Sequence, residues 1–239
     1  MEDSQYVLII GHMRSYSSLL AHILGSHPMV SGYVELQLDY AKTSDLIRLK
    51  RRAMALAGKA PYYLDKLVSG WHSASREVVA NRRVKTIFLV RRPRSTLASI
   101  QKLASYEDVP WYSDPAEVAS HYLRRLEVIR KLAGWAAPNG FCFIRAEEFV
   151  ERPDPCLRTV QAFLGLKEPF SLDYKTGELT GKPGHGDPSV LIRSGRIQKP
   201  SALAEPHIEL DPDLLRQCEE AYRMTCLHVE SLLTSQTLD

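Results

Sequence analysis

A chain of 239 residues can hold one α/β domain or two small ones, and 44% apolar with 25% charged residues is the balance of an ordinary globular protein rather than a disordered one. The net charge of +3 admits anionic ligands but falls short of the clustered basic charge of a nucleic-acid-binding domain. No apolar run approaches the ~18 residues of a membrane span, and Cys142, Cys156, Cys218 and Cys226 form neither a C-x-x-C pair nor a zinc-type cluster with histidine.

The chain starts with the acidic stretch MEDSQ, and the apolar run that follows, Tyr6–Ile10, is too short and wrongly flanked for a signal peptide. With its cysteines read as reduced thiols, the expectation is a soluble, cytoplasmic protein without a membrane span. Tyr6–Ile10 reads as a first strand. Gly11 ends it, a polar loop follows, and helical spacing starts at Ser18 and runs to Gly25. A strand, a tight loop and a helix is a layout that holds phosphates, because the first N–H groups of a helix are unpaired and carry partial positive charge. Compared with G-x-x-x-x-G-K-[ST], Gly11 and Ser18 hold the end positions, but Tyr16 stands at the second glycine and Ser17 at the lysine. A triphosphate site uses that lysine, so a P-loop kinase or NTPase is the weaker reading. Arg14, Ser15, Ser17 and Ser18 still offer donors for phosphate or sulfate oxygens.

Val30–Val34 is a weak strand, and Leu36–Leu56 contains an amphipathic helical stretch. Within it, Arg48–Arg52 (RLKRR) is basic but has no interleaved aromatics to stack bases, so nucleic acid is not expected as a partner. Tyr62–Lys66 (YYLDK) is another strand, and Lys85–Val90 (KTIFLV) a clear one. Arg91, Arg92 and Arg94 crowd its end, and a helix follows over Arg94–Leu103, with Ser99 about two turns beyond Arg91. Asp114, Pro115 and Glu117 signal the start of a helix running to Leu132. Phe141–Arg145 is the last strand. Asp154 with Pro155 starts a helix that Gly165 closes, and Asp211 with Pro212 starts the final one, towards Leu232. The intervening stretch, Leu166 to Pro206, is rich in Gly and Pro and too long for a casual connection. Strands alternating with helices predict a parallel sheet of four or five strands flanked by helices, a three-layer α/β fold of the P-loop NTPase kind, with ligands beyond the carboxyl ends of the strands.

Two stretches together resemble the sulfotransferases that use 3′-phosphoadenosine 5′-phosphosulfate (PAPS). RSYSSLL, Arg14 to Leu20, is similar to the family's (K/R)-S-G-(S/T)-(S/T)-L-L, and Arg91 to Ser99 fits R-x-P-x-x-x-x-x-S with Pro93 in place. His27-Pro28 and Glu35 follow the first motif as in many members. FIRAEEFVERPDPCLRTVQAFLGL resembles the family's R-Y-E-D-L … FLGL segment, and HGDPSVLIRSGRI its GNP loop. The resemblance, closest to the bacterial members and the tyrosylprotein and carbohydrate branch, runs from about residue 6 to about residue 200, and the whole chain, 1–239, is expected to be one such domain.

The resemblance implies sulfuryl transfer from PAPS, leaving 3′,5′-ADP, to a hydroxyl of a small-molecule, carbohydrate or natural-product acceptor, with no metal. It implies that Gly11, Arg14, Ser15, Tyr16, Ser17 and Ser18 hold the 5′-phosphosulfate and that Arg91 and Ser99 hold the 3′-phosphate. Arg14 and Lys66 would offset charge developing on the bridging oxygen, and Glu35 would be the base. His72 and His12 are alternates for that role. A non-catalytic relative that only binds the nucleotide is the remaining alternative. Three residues depart from the pattern: Tyr16 for the loop glycine, Ala146 for a tyrosine near the adenine, and Asp187 for the asparagine of the GNP loop.

Overall fold

The computed structural model describes residues 4–198 and 208–236. Strand β1 (Gln5–Gly11) leads through a loop to α1 (Ser17–Gly25), then to the short β2 (Val30–Ser31). Helix α2 (Leu46–Ala57), β3 (Tyr62–Leu67), a single turn α3 (Arg76–Val79) and β4 (Val84–Val90) follow. Next come α4 (Pro93–Gln101), the long α5 (Pro115–Ala136), β5 (Phe141–Arg145), α6 (Ala146–Glu151), α7 (Pro153–Leu164) and α8 (Pro212–Gln236).

The five strands form one parallel sheet in the order β2-β3-β1-β4-β5. Side chains alternate across a strand, and β1 shows the consequence. Tyr6, Leu8 and Ile10 enter a core shared with α2, α4, α5 and α8, whereas Val7 and Ile9 enter a second core shared with α1, α6 and α7. Both faces are therefore covered, which is why these strands read as continuous apolar runs. Because every strand points the same way, β1, β3 and β4 deliver their carboxyl ends, and the residues just beyond them, to one edge.

Several predicted boundaries move. The amphipathic helical stretch expected within Leu36–Leu56 is α2, which starts at Leu46 after a 3-10 turn at Thr43–Asp45. Tertiary bonds claim the earlier backbone: Leu36 N–H donates to the Asp65 carboxylate, and Tyr40 exchanges backbone bonds with Ser73 and Ser75. The strand expected over Val30–Val34 pairs only at Val30 and Ser31. Asp114 caps α5 as expected, accepting from the N–H groups of Ala116 and Glu117. Helix α6 was not foreseen, and α7 starts at Pro153 rather than at Asp154, closed by Gly165 in the left-handed conformation. Part of the long Leu166–Pro206 stretch, residues 199–206, lies outside the described residues.

Candidate active site

The loop after β1 is shaped from within. The fully buried Ser15 donates its hydroxyl to the His12 carbonyl, and a side chain on Gly11 would meet the Leu89 carbonyl at 2.6 Å, so close passage of β4 requires glycine there. Arg14 and Tyr16 both adopt positive φ, 61° and 64°. For a non-glycine residue the left-handed conformation costs about 1–2 kcal/mol. Tyr16 nonetheless closes the first helical bond, its carbonyl accepting from Leu20 N–H at 3.0 Å. Its ring faces Arg91, whose guanidinium lies 4.5 Å from the ring centre, a cation–π contact worth about 0.5–2 kcal/mol that offsets much of the strain. The departure at Tyr16 thus joins the first motif to the second.

Arg91, just past β4, is tied to the loop at three further points and to α5 at one. Its N–H donates to His12 Nε2 at 2.9 Å, its guanidinium donates to the Arg14 carbonyl at 2.9 Å and reaches the Tyr16 hydroxyl at 3.3 Å, and its carbonyl accepts from Tyr122. His12 is fully buried, with Nδ1–H donating to the Met13 carbonyl, and burial pushes its pKa down to about 3 against the pull of that carbonyl. Both ring nitrogens are engaged in building the loop, so His12 drops out as a base.

Arg14 donates from Nε to Ser99 Oγ at 2.9 Å and from a terminal nitrogen to Asp187 at 2.9 Å. Arg14 and Ser99 were expected to serve opposite ends of the nucleotide, yet here they touch. Burial opposes ionisation of Asp187, but the Arg14 guanidinium and Ser189 N–H together hold its carboxyl below the usual range. The carboxylate thus occupies an anion-binding guanidinium. Its loop closes on the start of α1, where Asp187 N–H donates to Ser18 Oγ at 3.0 Å. Gly186 permits this approach: a side chain there would lie 2.7 Å from Ser18 Oγ and 3.0 Å from Lys66 Nζ.

Lys66, 1% exposed on β3, pairs with Glu35 at 3.3 Å. Asp65, beside it and fully buried, accepts from Leu36 N–H at 2.8 Å, Lys66 N–H at 2.7 Å and the Tyr40 hydroxyl at 2.5 Å. One carboxylate therefore fixes the backbone next to Glu35 and that of Lys66. Burial pushes its pKa up to about 7 despite those three donors. Beneath the strand ends, Arg125 of α5 is 3% exposed and donates to the carbonyls of Gly11 and Leu67. Burial lowers its pKa to about 10, where it remains a cation under the site. The sequence reading missed both residues. Asp65 sits inside the YYLDK strand, where a charged residue in a strand buried on both faces was the available signal; Arg125 is one of several arginines on a long helix and carries none.

Every predicted site residue except Gly11 and Ser15 lines one cavity of about 410 Å³. His72 lines it too, with Nδ1 facing Asp39 at 3.4 Å. Ala146 does not: it is buried in the second core at the start of α6. Among the described residues no cluster of three or more His, Cys, Asp or Glu side chains could hold a metal ion, and no helix is long and apolar enough to cross a membrane.

Neither a family model nor a curated protein matches the chain. Solved structures do. The sulfotransferase domain of the Synechococcus PCC 7002 olefin synthase superimposes with a TM-score of 0.57 over 93% of this chain and 96% of its own, at 17% identity. The chain has the sulfotransferase fold. A sulfotransferase domain from the curacin biosynthetic pathway gives 0.53 at 18% identity, covering 91% and 96%. A sulfotransferase from Alicyclobacillus acidocaldarius gives 0.50 at 14% identity, covering 96% of each chain.

Proposed function

We propose that this chain, as one domain spanning residues 1–239, transfers a sulfuryl group from PAPS to a hydroxyl of a small-molecule, carbohydrate or natural-product acceptor, releasing 3′,5′-ADP. The observation that carries the reading is that one cavity gathers an anion-binding loop, a second arginine from the neighbouring strand end, and a buried lysine paired with a carboxylate. The donor set suits the nucleotide: guanidinium groups, serine hydroxyls and the free N–H groups at the start of α1 are ligands for phosphate and sulfate oxygens. Asp187 on Arg14 is itself an anion at one of these ligands.

Arg14 and the N–H groups of Ser17 and Ser18 hold the 5′-phosphosulfate, and Arg91 with Ser99 holds the 3′-phosphate. Glu35 takes the proton of the acceptor hydroxyl as it attacks, since a neutral alcohol is a weak nucleophile. Lys66 and Arg14 offset the negative charge that grows on the bridging oxygen in an in-line transfer, and Arg125 adds a fixed positive charge below. No step calls for a metal. All four cysteines are unpaired, in keeping with a cytoplasmic protein.

Glu35→Gln keeps the shape and the contact with Lys66 while removing the base. It should lower kcat at least a hundredfold and leave the Kd for 3′,5′-ADP within about threefold. A variant with near-wild-type turnover would dismiss Glu35 as the base and return attention to His72.

A further inference from the structure

We propose that the side of the cavity next to Glu35 takes an acceptor whose hydroxyl is carried by a flat, apolar ring system, a phenol or a ring-fused alcohol, rather than a saccharide. The inference deepens the sulfuryl-transfer reading and rests on it. Its wall is built from Val68 and Trp71 beyond the end of β3, Leu103 and Tyr106 after α4, and Trp111 and Tyr112 before α5. Trp111 is held edge-on to Tyr112 at 4.6 Å and against His121 at 4.9 Å, so it presents a fixed aromatic surface. Tyr112 lines the same cavity as Glu35 and Arg14, so this wall and the reacting groups share one space.

Two more rings stand open to solvent on the same cavity: Trp71 is 79% exposed and Tyr106 42%. Single exposed apolar residues are ordinary, but large rings gathered on one concavity mark a surface awaiting an apolar partner. A saccharide would bring several hydroxyls, each needing a partner, and an unpaired buried polar group is penalised. Three polar side chains on this side already have partners, and the buried Ser69 hydroxyl is left without one. Glu107 accepts from the Tyr112 hydroxyl at 3.4 Å, Gln37 donates to the Gly184 carbonyl at 2.7 Å, and His72 faces Asp39. The wall therefore offers rings to stack on and few uncommitted donors or acceptors.

Calorimetric titration of 2-naphthol and N-acetylglucosamine into the protein saturated with 3′,5′-ADP tests this. The naphthol should bind at least about tenfold more tightly than the sugar, a gap typical of aromatic stacking. Trp71→Ala, an exposed position whose loss leaves the fold intact, should weaken the naphthol several-fold and leave the Kd for 3′,5′-ADP unchanged. Equal or tighter binding of the sugar, or naphthol affinity indifferent to Trp71→Ala, would overturn the proposal. If wild-type protein fails to bind 3′,5′-ADP, the sulfotransferase reading fails, and the same titrations on the free protein still decide whether the wall takes a flat ring or a saccharide.

Discussion

Acid should unfold this protein through histidines that the fold buries in neutral form. Burial pushes His12 down to about 3, and burial with the nearby Arg125 and Arg124 pushes His121 down to about 4, whereas both start from 6.5 in an unfolded chain. A base whose pKa is depressed on folding contributes stability above its unfolded pKa and loses it as the pH falls towards the folded one. At ~1.36 kcal/mol per pH unit, and with the unfolded imidazole already half protonated at pH 6.5, each of the two loses about 2 kcal/mol between pH 6.5 and 4.5. Asp65 works in the opposite sense. Its folded pKa of about 7 lies above the unfolded 3.8, so it returns roughly 2–3 kcal/mol over the same interval. His22, also lowered by burial, adds to the loss. The balance is a net loss of roughly 1–2 kcal/mol, to which His22 adds. Urea denaturation at the two pH values, followed by tryptophan fluorescence, measures it. His121→Phe keeps a ring against Trp111 and removes both the titration and a buried Nε2 that has no partner. That variant should lose about 2 kcal/mol less than wild type over the same pH interval. A wild type more stable at pH 4.5 than at 6.5, or a variant with undiminished acid sensitivity, would refute the reasoning.

Two substitutions probe the residues that hold the site. Asp65→Ala strands two buried N–H groups and the Tyr40 hydroxyl, each worth about 1–3 kcal/mol, so urea stability at pH 7.5 should fall by roughly 3 kcal/mol. Its kcat should drop far more than its affinity for 3′,5′-ADP, because the backbone beside Glu35 and Lys66 is released while Arg14 and Arg91 are untouched; parallel losses would reduce Asp65 to a structural residue. Asp187→Asn removes the charge that now engages Arg14, an interaction of about 1.5–3 kcal/mol for a charged hydrogen bond, and should tighten 3′,5′-ADP binding by about tenfold. An unchanged Kd in calorimetry would mean that nucleotide binding leaves the Arg14–Asp187 pair in place.

What the sequence made legible was the local part of the design. The continuous apolar runs of β1, β4 and β5 stood out because both faces of the sheet are covered, and the Asp114–Pro115 cap marked its helix. The strand-loop-helix order located Arg14, and the position of Arg91 at a strand end could be read directly. Long-range pairings were not legible. Nothing near Leu36 announces that its N–H would serve Asp65, 29 residues on, in place of a helical turn. The contact of Arg14 with Ser99 spans 85 residues and that with Asp187 spans 173. The left-handed backbone at Tyr16 was foreseeable from the glycine it replaces, but its compensation by Arg91 depends on how β1 and β4 lie side by side.

The most direct measurement is a pair of calorimetric titrations, 3′,5′-ADP and 5′-AMP, into wild type and Arg91→Ala. If the strand ends of β1 and β4 grip the two phosphates of one nucleotide, wild type should bind 3′,5′-ADP at least about tenfold more tightly than 5′-AMP, as expected for one lost charge-assisted contact set. Arg91→Ala should erase most of that preference. Equal affinity for the two nucleotides in wild type, or a preference that survives the loss of Arg91, would contradict it.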